Sequence, residues 1–313
     1  MPVRNYYRKR VSPWPRRLLV AALALVMVYA ASQLIGYGMQ MQQERALRGE
    51  LSALLTESEQ PHAPEEAAVQ DASEPQQGSE DAAAPESGST AQLRTSVNAS
   101  AAVPKPAGKP EILMTYHALW ERNNDLVGWL NVRALPQLDL PVVQRDQTYY
   151  LRRDFDGRSN MNGTAFMDVI SSIWPMSDNM IIYAHNMKSG EMFGGLHKLM
   201  YEPFYRQSPL ASFNTIYERA NYVPVAVVLC SIHRGDDFFN FYVSDFKDEA
   251  AFDAYIARAR ELSSVHPPYD VAYGDQLLTL VTCYDEAHTK RLLVILRRVR
   301  ENENPGELAA MWT

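Results

Sequence analysis

The sequence predicts a mainly β fold, a closed mixed barrel of about eight strands within residues 110–313. Short apolar runs separated by Gly, Pro, Asn and Asp recur along this region, and strands of this length and spacing are typical of barrels. A helical pattern that begins at residue 112 and is interrupted at residues 123–125 opens the region, and a second over residues 248–264 is inserted before the penultimate strand. The predicted strands cover residues 128–132, 138–144, 164–168, 179–185, 215–218, 222–232, 277–281 and 292–296.

The first 38 residues have the features of a membrane anchor. Residues 1–17 contain six Arg or Lys residues and no Asp or Glu, and residues 18–38 form a mostly apolar stretch that is long enough to cross a bilayer as a helix. Because Arg and Lys collect on the cytoplasmic side, we expect a single-pass type II protein in the cell membrane with an extracellular barrel. A cleaved signal peptide is the alternative, but the apolar stretch is long for one.

Residues 39–109 connect the anchor to the barrel. Residues 40–55 have a helix-like pattern and are expected to continue the membrane helix. From about residue 56 the composition shifts to Glu, Ala, Pro, Ser and Gln, and such a chain cannot offset its ordering entropy by burial. We therefore expect a disordered acidic linker that tethers the barrel away from the membrane. The net charge of -7 argues against nucleic-acid binding over the whole surface.

The predicted closing hairpin places a cysteine beside an arginine. The strand of residues 277–281 ends in Thr282 and Cys283, a polar turn follows, and the last strand has Arg291 at its start. A thiol at a strand end beside a guanidinium has the electropositive, partly exposed setting of a reactive cysteine. The alternative for Cys283 is a small buried residue. Cys230 is most simply a core residue, although a disulfide between the two cysteines is possible.

One of the seven histidines has a comparable position. His185 stands where an apolar strand stops and a polar, glycine-bearing loop begins, which places an imidazole for acid–base chemistry at one rim of the barrel. A structural histidine is the alternative. The other histidines show no ligand spacing and no acidic cluster demands calcium, so neither a metal nor a cofactor is expected. The remaining candidates, for which we favour solvated or structural roles, are His197, His233, His266, His288, Asp285 and Glu286.

Six blocks of the sequence resemble the sortases, and in particular those of class B. They follow one another in the family's order between about residues 112 and 300 and include two of the three reactive residues, while the third, Arg291, follows the last block. The family block around the histidine usually has glycine where Ala184 stands here, and alanine restricts the backbone more than glycine does. The blocks are residues 124–130 (NDLVGWL), 140–144 (LPVVQ), 163–168 (GTAFMD), 183–187 (YAHNM), 192–193 (MF) and 279–283 (TLVTC), with Arg291 after them.

The resemblance implies a sortase barrel and a cysteine transpeptidase of the peptide hydrolase class. Cys283 would be the nucleophile, His185 the general acid and base, and Arg291 the group that stabilises the substrate carbonyl or oxyanion. The implied partners are secreted proteins with a C-terminal sorting signal resembling Asn-Pro-X-Thr or Leu-Pro-X-Thr, and the amine of a lipid II-type precursor of a Gram-positive cell wall. The predicted substrate contacts are Thr282, Tyr284, Asn186 and Met187.

Two other functions stay open. A cysteine peptidase that releases its product to water would use the same three residues. A membrane-tethered binding module without activity would need none of them, and the intact set therefore argues against it.

Overall fold

A computed structural model describes residues 14–59, 108–285 and 287–312. One compact unit contains the N-terminal helix, up to Glu59, together with Pro110–Thr313. Of the second unit, Gln60–Lys109, only residues 108 and 109 are described. Nearly all of the predicted acidic linker, and most of the basic N-terminus, therefore lie outside the described residues.

Eight strands form a closed barrel in the order β1-β2-β3-β4-β7-β8-β6-β5. The pairs β2–β3 and β4–β7 are parallel and the other neighbours are antiparallel, so the predicted mixed barrel is confirmed. The strands are β1 (Leu126–Val132), β2 (Asp139–Val143), β3 (Ala165–Met167), β4 (Asn179–Tyr183), β5 (Ala211–Thr215), β6 (Asn221–Ser231), β7 (Leu277–Cys283) and β8 (Lys290–Arg298).

Five α-helices accompany the barrel in the described chain. The predicted insertion helix is α4, which begins after an Asp248 side chain that accepts a hydrogen bond from the Ala251 N–H, a normal N-cap. Short 3₁₀ helices lie at Met114–Tyr116, Tyr149–Arg152 and Leu196–Met200. The α-helices are α1 (Trp14–Glu59), α2 (His117–Arg122), α3 (Glu202–Arg206), α4 (Glu249–Glu261) and α5 (Pro305–Trp312).

The strands β7 and β8 are buried on both faces, which explains their continuous apolar sequence. Leu278 and Leu280 belong to the main core cluster inside the barrel. Their neighbours Leu277 and Val281 belong to a second cluster outside the barrel wall. The apolar stripe of α4 covers this outer cluster and buries Phe252, Tyr255, Ile256 and Ala259.

One predicted strand of the barrel is misplaced. The fifth strand is Ala211–Thr215 and not residues 215–218, because the Thr215 hydroxyl accepts hydrogen bonds from the N–H groups of Tyr217 and Glu218 and turns the chain. The C-terminal segment forms an additional helix, α5, which buries Leu308 and Trp312. A helix of only eight residues gives little periodic signal in the sequence.

Helix α1 has two distinct halves. It is the one described helix that is long and apolar enough to cross a membrane, and its most apolar part is exposed throughout. Beyond the predicted span the same helix packs on the barrel, where Glu44 and Leu51 are buried. These contacts place the barrel directly beside the helix that carries the predicted span.

Candidate active site

Three neighbouring strands, β4, β7 and β8, place His185, Cys283 and Arg291 in one row. Tyr183 of β4 is aligned with Val281 of β7 in the parallel pair. His185 and Cys283 each follow two residues later, and Arg291 lies directly opposite Cys283 in the β7–β8 pair. Since adjacent strands are about 4.8 Å apart, the three residues lie at the same level of the barrel.

Side-chain alternation places all three on the outer face of the barrel wall. Ile181, Val281 and Leu293 lie an even number of residues from His185, Cys283 and Arg291 on the same strands, and all belong to the outer cluster under α4. By contrast, Ala184, one residue before the histidine, belongs to the core inside the barrel. The two-residue period of the strands therefore brings the thiol, the imidazole and the guanidinium to one surface.

These three side chains line a single pocket of about 300 Å³. The pocket is more apolar than polar, because aliphatic side chains and the two aromatic rings of Phe166 and Tyr183 form much of its wall. Such a site has a few convergent polar groups in an apolar concavity, as ligand pockets usually do. The other lining residues are Gln147, Leu151, Phe166, Tyr183, Ala184, Val281 and Thr282.

The two thiols have different surroundings. Cys283 is partly exposed, whereas Cys230 is buried, and burial raises the pKa of Cys230 to about 11. The strands that carry them, β6 and β7, lie on either side of β8. Their backbones are therefore about 9–10 Å apart, which is too far for a disulfide.

The imidazole of His185 contacts a main-chain oxygen of a segment remote in sequence. Its Nε2 lies 2.8 Å from the carbonyl oxygen of Leu151. A carbonyl can only accept, so Nε2 carries the hydrogen in this arrangement and Nδ1 is the nitrogen that can take up a proton. Sequence reasoning missed Leu151, because a contact made by the main chain leaves no signal in the pattern of side chains.

Thr282 connects the ends of β7 and β4. Its buried hydroxyl donates a hydrogen bond of 2.7 Å to the carbonyl oxygen of Ala184. The residues that follow these two are Cys283 and His185. The bond therefore fixes the two strand ends relative to each other at the point where the thiol and the imidazole leave the sheet.

The guanidinium of Arg291 is bonded to its own turn. Its Nη1 donates to the carbonyl oxygens of His288 and Lys290, at 2.9 and 3.1 Å, and both bonds are exposed to solvent. Exposed hydrogen bonds of this kind contribute little net free energy, since water can replace them. The charged donor can therefore turn toward a ligand in the pocket.

The other predicted contact residues lie beside this pocket. Tyr284, Asn186 and Met187 line a groove of about 640 Å³ next to it, between α1 and the loop that follows His185. The carboxylate of Asp285 is hydrogen-bonded within the β7–β8 turn, where it accepts a hydrogen bond of 2.9 Å from the Lys290 N–H. Glu286 lies outside the described residues.

In the part of the chain that the structure describes, no group of three or more His, Cys, Asp or Glu residues could hold a metal ion.

Comparisons with known proteins agree with this fold. No protein-family model matches the chain. A sortase B from Listeria monocytogenes is 28% identical over 172 residues, which cover 54% of this chain and 66% of that protein, just under two thirds of its length. The sortase B of Bacillus anthracis, solved in complex with AAEK1, has a TM-score of 0.55 and 26% identity over 63% of this chain and 90% of that one.

A third comparison shows the fold alone, because the sequence identity is lower. The Staphylococcus aureus sortase B–substrate complex has a TM-score of 0.56 and 23% identity, and the match covers 61% of this chain and 87% of that chain. The sequence similarity and the shared barrel confirm the predicted resemblance to the sortases of class B.

Proposed function

We propose that this sortase is a membrane-anchored cysteine transpeptidase with Cys283, His185 and Arg291 as its catalytic residues. The observation that carries the proposal is their position in one row, on adjacent strands and in one pocket. A nucleophile, a proton-transfer group and a fixed positive charge at one site are the three requirements of acyl transfer through a thioester.

In the first half of the reaction, the sulfur of Cys283 attacks the carbonyl carbon of the threonine in a sorting signal. The signal resembles Asn-Pro-X-Thr or Leu-Pro-X-Thr and lies near the C-terminus of a secreted protein. Arg291 donates hydrogen bonds to the carbonyl oxygen as it becomes negative. The bond between the threonine carbonyl and the next nitrogen breaks, and His185, which holds the proton given up by the Cys283 thiol, donates it to the departing amine.

In the second half, an amine attacks the thioester carbonyl. His185 takes the proton of this amine, the carbon–sulfur bond breaks, and the sulfur of Cys283 returns to its starting state. The acceptor is the amine of a peptidoglycan precursor of the lipid II type, so the secreted protein becomes attached to a Gram-positive cell wall. Predicted contacts to these substrates are Thr282 at the pocket, and Tyr284, Asn186 and Met187 at the adjacent groove.

The N-terminal helix supports a location at the cell membrane. We propose that residues 18–38 span the bilayer with the basic residues 1–17 in the cytoplasm. The catalytic domain is then extracellular, where both the secreted substrates and the precursor amine are accessible.

Mass spectrometry of the acyl-enzyme tests this function. The full chain is incubated with a panel of sorting peptides, and we expect an adduct on Cys283 whose mass corresponds to the peptide up to its threonine. Addition of an amine should convert the adduct to a ligated peptide. Hydrolysis alone, with and without the amine, would support a cysteine peptidase instead, and the absence of any adduct would support a binding module.

A further inference from the structure

Main-chain hydrogen bonds hold both ends of the loop that follows His185 close to the histidine. The N–H of Phe193 donates a hydrogen bond of 2.9 Å to the carbonyl oxygen of His185. Asn186 and Met192 form an isolated β-bridge, and the main chain is so close that no Cβ could be placed at Gly194. A shift in this loop would therefore move the main chain of His185 with it.

The same loop contains a buried carboxylate whose ion-pair partners come from the anchor helix. Glu191 is buried and accepts hydrogen bonds from the guanidinium groups of Arg45 and Arg48, both on α1. Arg48 also donates a 3.2 Å bond to the carbonyl oxygen of Gln137 in the β1–β2 connection. The helix thus holds two loops of the barrel through one guanidinium.

The free-energy cost of burying a charged group explains why Glu191 depends on these two arginine partners. A buried carboxylate without partners is strongly unfavourable, so Glu191 keeps its position only while its cationic partners are in place. Burial alone would raise the pKa of Glu191, but the hydrogen bonds and charges of Arg48 and Arg45 lower it below its usual range. Of the two partners, Arg48 is the more buried, with 16% of its side chain exposed compared with 61% for Arg45.

We propose that Arg48, assisted by Arg45, is a positioning residue for the proposed transpeptidation. By pairing with Glu191, the anchor helix fixes the loop of residues 186–195 and thereby the position of His185 beside Cys283. The inference rests on the proposed function. It makes α1 a structural part of the active site. The rate of catalysis then depends on the contacts that α1 forms with the barrel.

The chain offers a control from the same helix for a test. Glu50, also on α1, forms a 2.7 Å ion pair with Arg122 of α2, away from the His185 loop. Glu50→Ala therefore removes a charged contact between the helix and the catalytic domain without touching Glu191. Arg48→Ala removes the loop contact, and Arg48→Lys keeps the charge but not the two-pronged donor geometry.

The full chain in detergent micelles is assayed with a sorting peptide and an amine. We expect Arg48→Ala to lower kcat about tenfold or more, because a small displacement of a catalytic group is costly, while KM for the peptide changes less than threefold. Arg48→Lys should recover part of the loss, and Glu50→Ala should keep the kcat of the unmodified chain. Hydrogen exchange of the amides in residues 186–195 should become faster in Arg48→Ala and stay unchanged in Glu50→Ala.

Two outcomes would overturn the inference: an unchanged kcat in Arg48→Ala, or equal losses in Arg48→Ala and Glu50→Ala. If Arg48→Ala does not fold, Arg48→Lys is compared with Glu50→Ala instead. An unchanged kcat in Arg48→Lys, or equal losses of kcat in the two variants, would then overturn the inference. A chain that forms no acyl-enzyme at all would contradict the proposed function and leave the positioning inference to the hydrogen-exchange result, which needs no turnover.

Discussion

Cys283 and Arg291 lie opposite each other at the last aligned position of the β7–β8 pair. Arg291 also lies opposite Cys230, across the β6–β8 pair, so one guanidinium has a thiol on each side. The charge of Arg291 alone cannot decide which thiol reacts. Exposure decides, because Cys283 opens to the pocket that contains His185 while Cys230 is buried with a raised pKa.

Substitution of the two cysteines should therefore have unequal effects. Cys283→Ala should abolish the peptide adduct, because no other described thiol lines the pocket. Cys230→Ala should form the adduct at a rate within about threefold of the unmodified chain, since its buried thiol stays protonated near neutral pH. The amount of adduct after a fixed time, measured by mass spectrometry, tests both substitutions. Loss of the adduct in Cys230→Ala, with folding intact, would contradict this assignment.

Arg291 should act through a directed hydrogen bond as well as its charge. We expect Arg291→Ala to lower kcat/KM about 10²- to 10³-fold, as the loss of an oxyanion donor does in other acyl-transfer enzymes. Arg291→Lys should recover only part of this loss, because an ammonium lacks the planar fork of donors. Because the side chain is partly exposed at the turn, both variants should unfold at nearly the same temperature as the unmodified chain. A kcat/KM for Arg291→Ala within threefold of normal would exclude the proposed role.

Thr282 should affect catalysis through the position of the strand ends. Thr282→Val removes the donor to the carbonyl oxygen of Ala184 and should cost about 1–3 kcal/mol of unfolding free energy, since the carbonyl stays buried. We also expect a fall in kcat. Thr279→Val is the matched control, because its equally buried hydroxyl donates to Asn179 Oδ1 at 2.8 Å farther along β7.

The two threonine variants separate positioning from stability. Both should lower the unfolding temperature by similar amounts, and only Thr282→Val should lower kcat. If kcat falls equally in both, the loss reflects general destabilisation of β7.

The barrel, and the common position of His185, Cys283 and Arg291 in it, could be predicted because both depend on short-range patterns. The continuous apolar run of β7 marked a strand buried on both faces, and the polar turn after it fixed where Cys283 and Arg291 would meet. The end of a second apolar run placed His185 at the same rim of the barrel as Cys283. The stripe of α4 was visible for the same reason, since its period lies within one helix.

Features that depend on individual contacts, whether of the main chain or of side chains, could not be predicted. His185 contacts the main-chain carbonyl of Leu151. Every residue type has this group, so the sequence does not indicate the contact. The ion pair of Arg48 with Glu191 joins residues 143 positions apart, and many other Arg and Glu residues could have formed it. The fifth strand was misplaced because the hydroxyl of Thr215 forms a turn where a β-branched residue favours a strand.

The stability of the C-terminal region should depend on one buried ion pair. Arg297 of β8 is fully buried, and both its terminal nitrogens donate to the carboxylate of Glu303, at 2.6 and 2.7 Å. Glu303→Ala leaves the buried guanidinium of Arg297 with only the longer, 3.5 Å ion pair to the exposed carboxylate of Asp270, so it should cost about 3 kcal/mol of unfolding free energy. Glu218→Ala, which breaks the more exposed pair with Arg298, should cost about 1 kcal/mol or less.

The contribution of Glu303 should also depend on pH. The hydrogen bonds from Arg297 lower the pKa of Glu303 in the folded chain below its ordinary value of 4.5. A lowered folded pKa means that the stabilisation is complete above about pH 4.5 and is lost as the pH falls through the folded value. Glu303→Gln resembles the protonated side chain at every pH. The difference in unfolding free energy between the unmodified chain and Glu303→Gln should therefore be constant near neutral pH and shrink below about pH 4.5, and urea unfolding at pH 7, 5 and 3.5 measures it. A difference that stays constant down to pH 3.5 would contradict the proposed coupling.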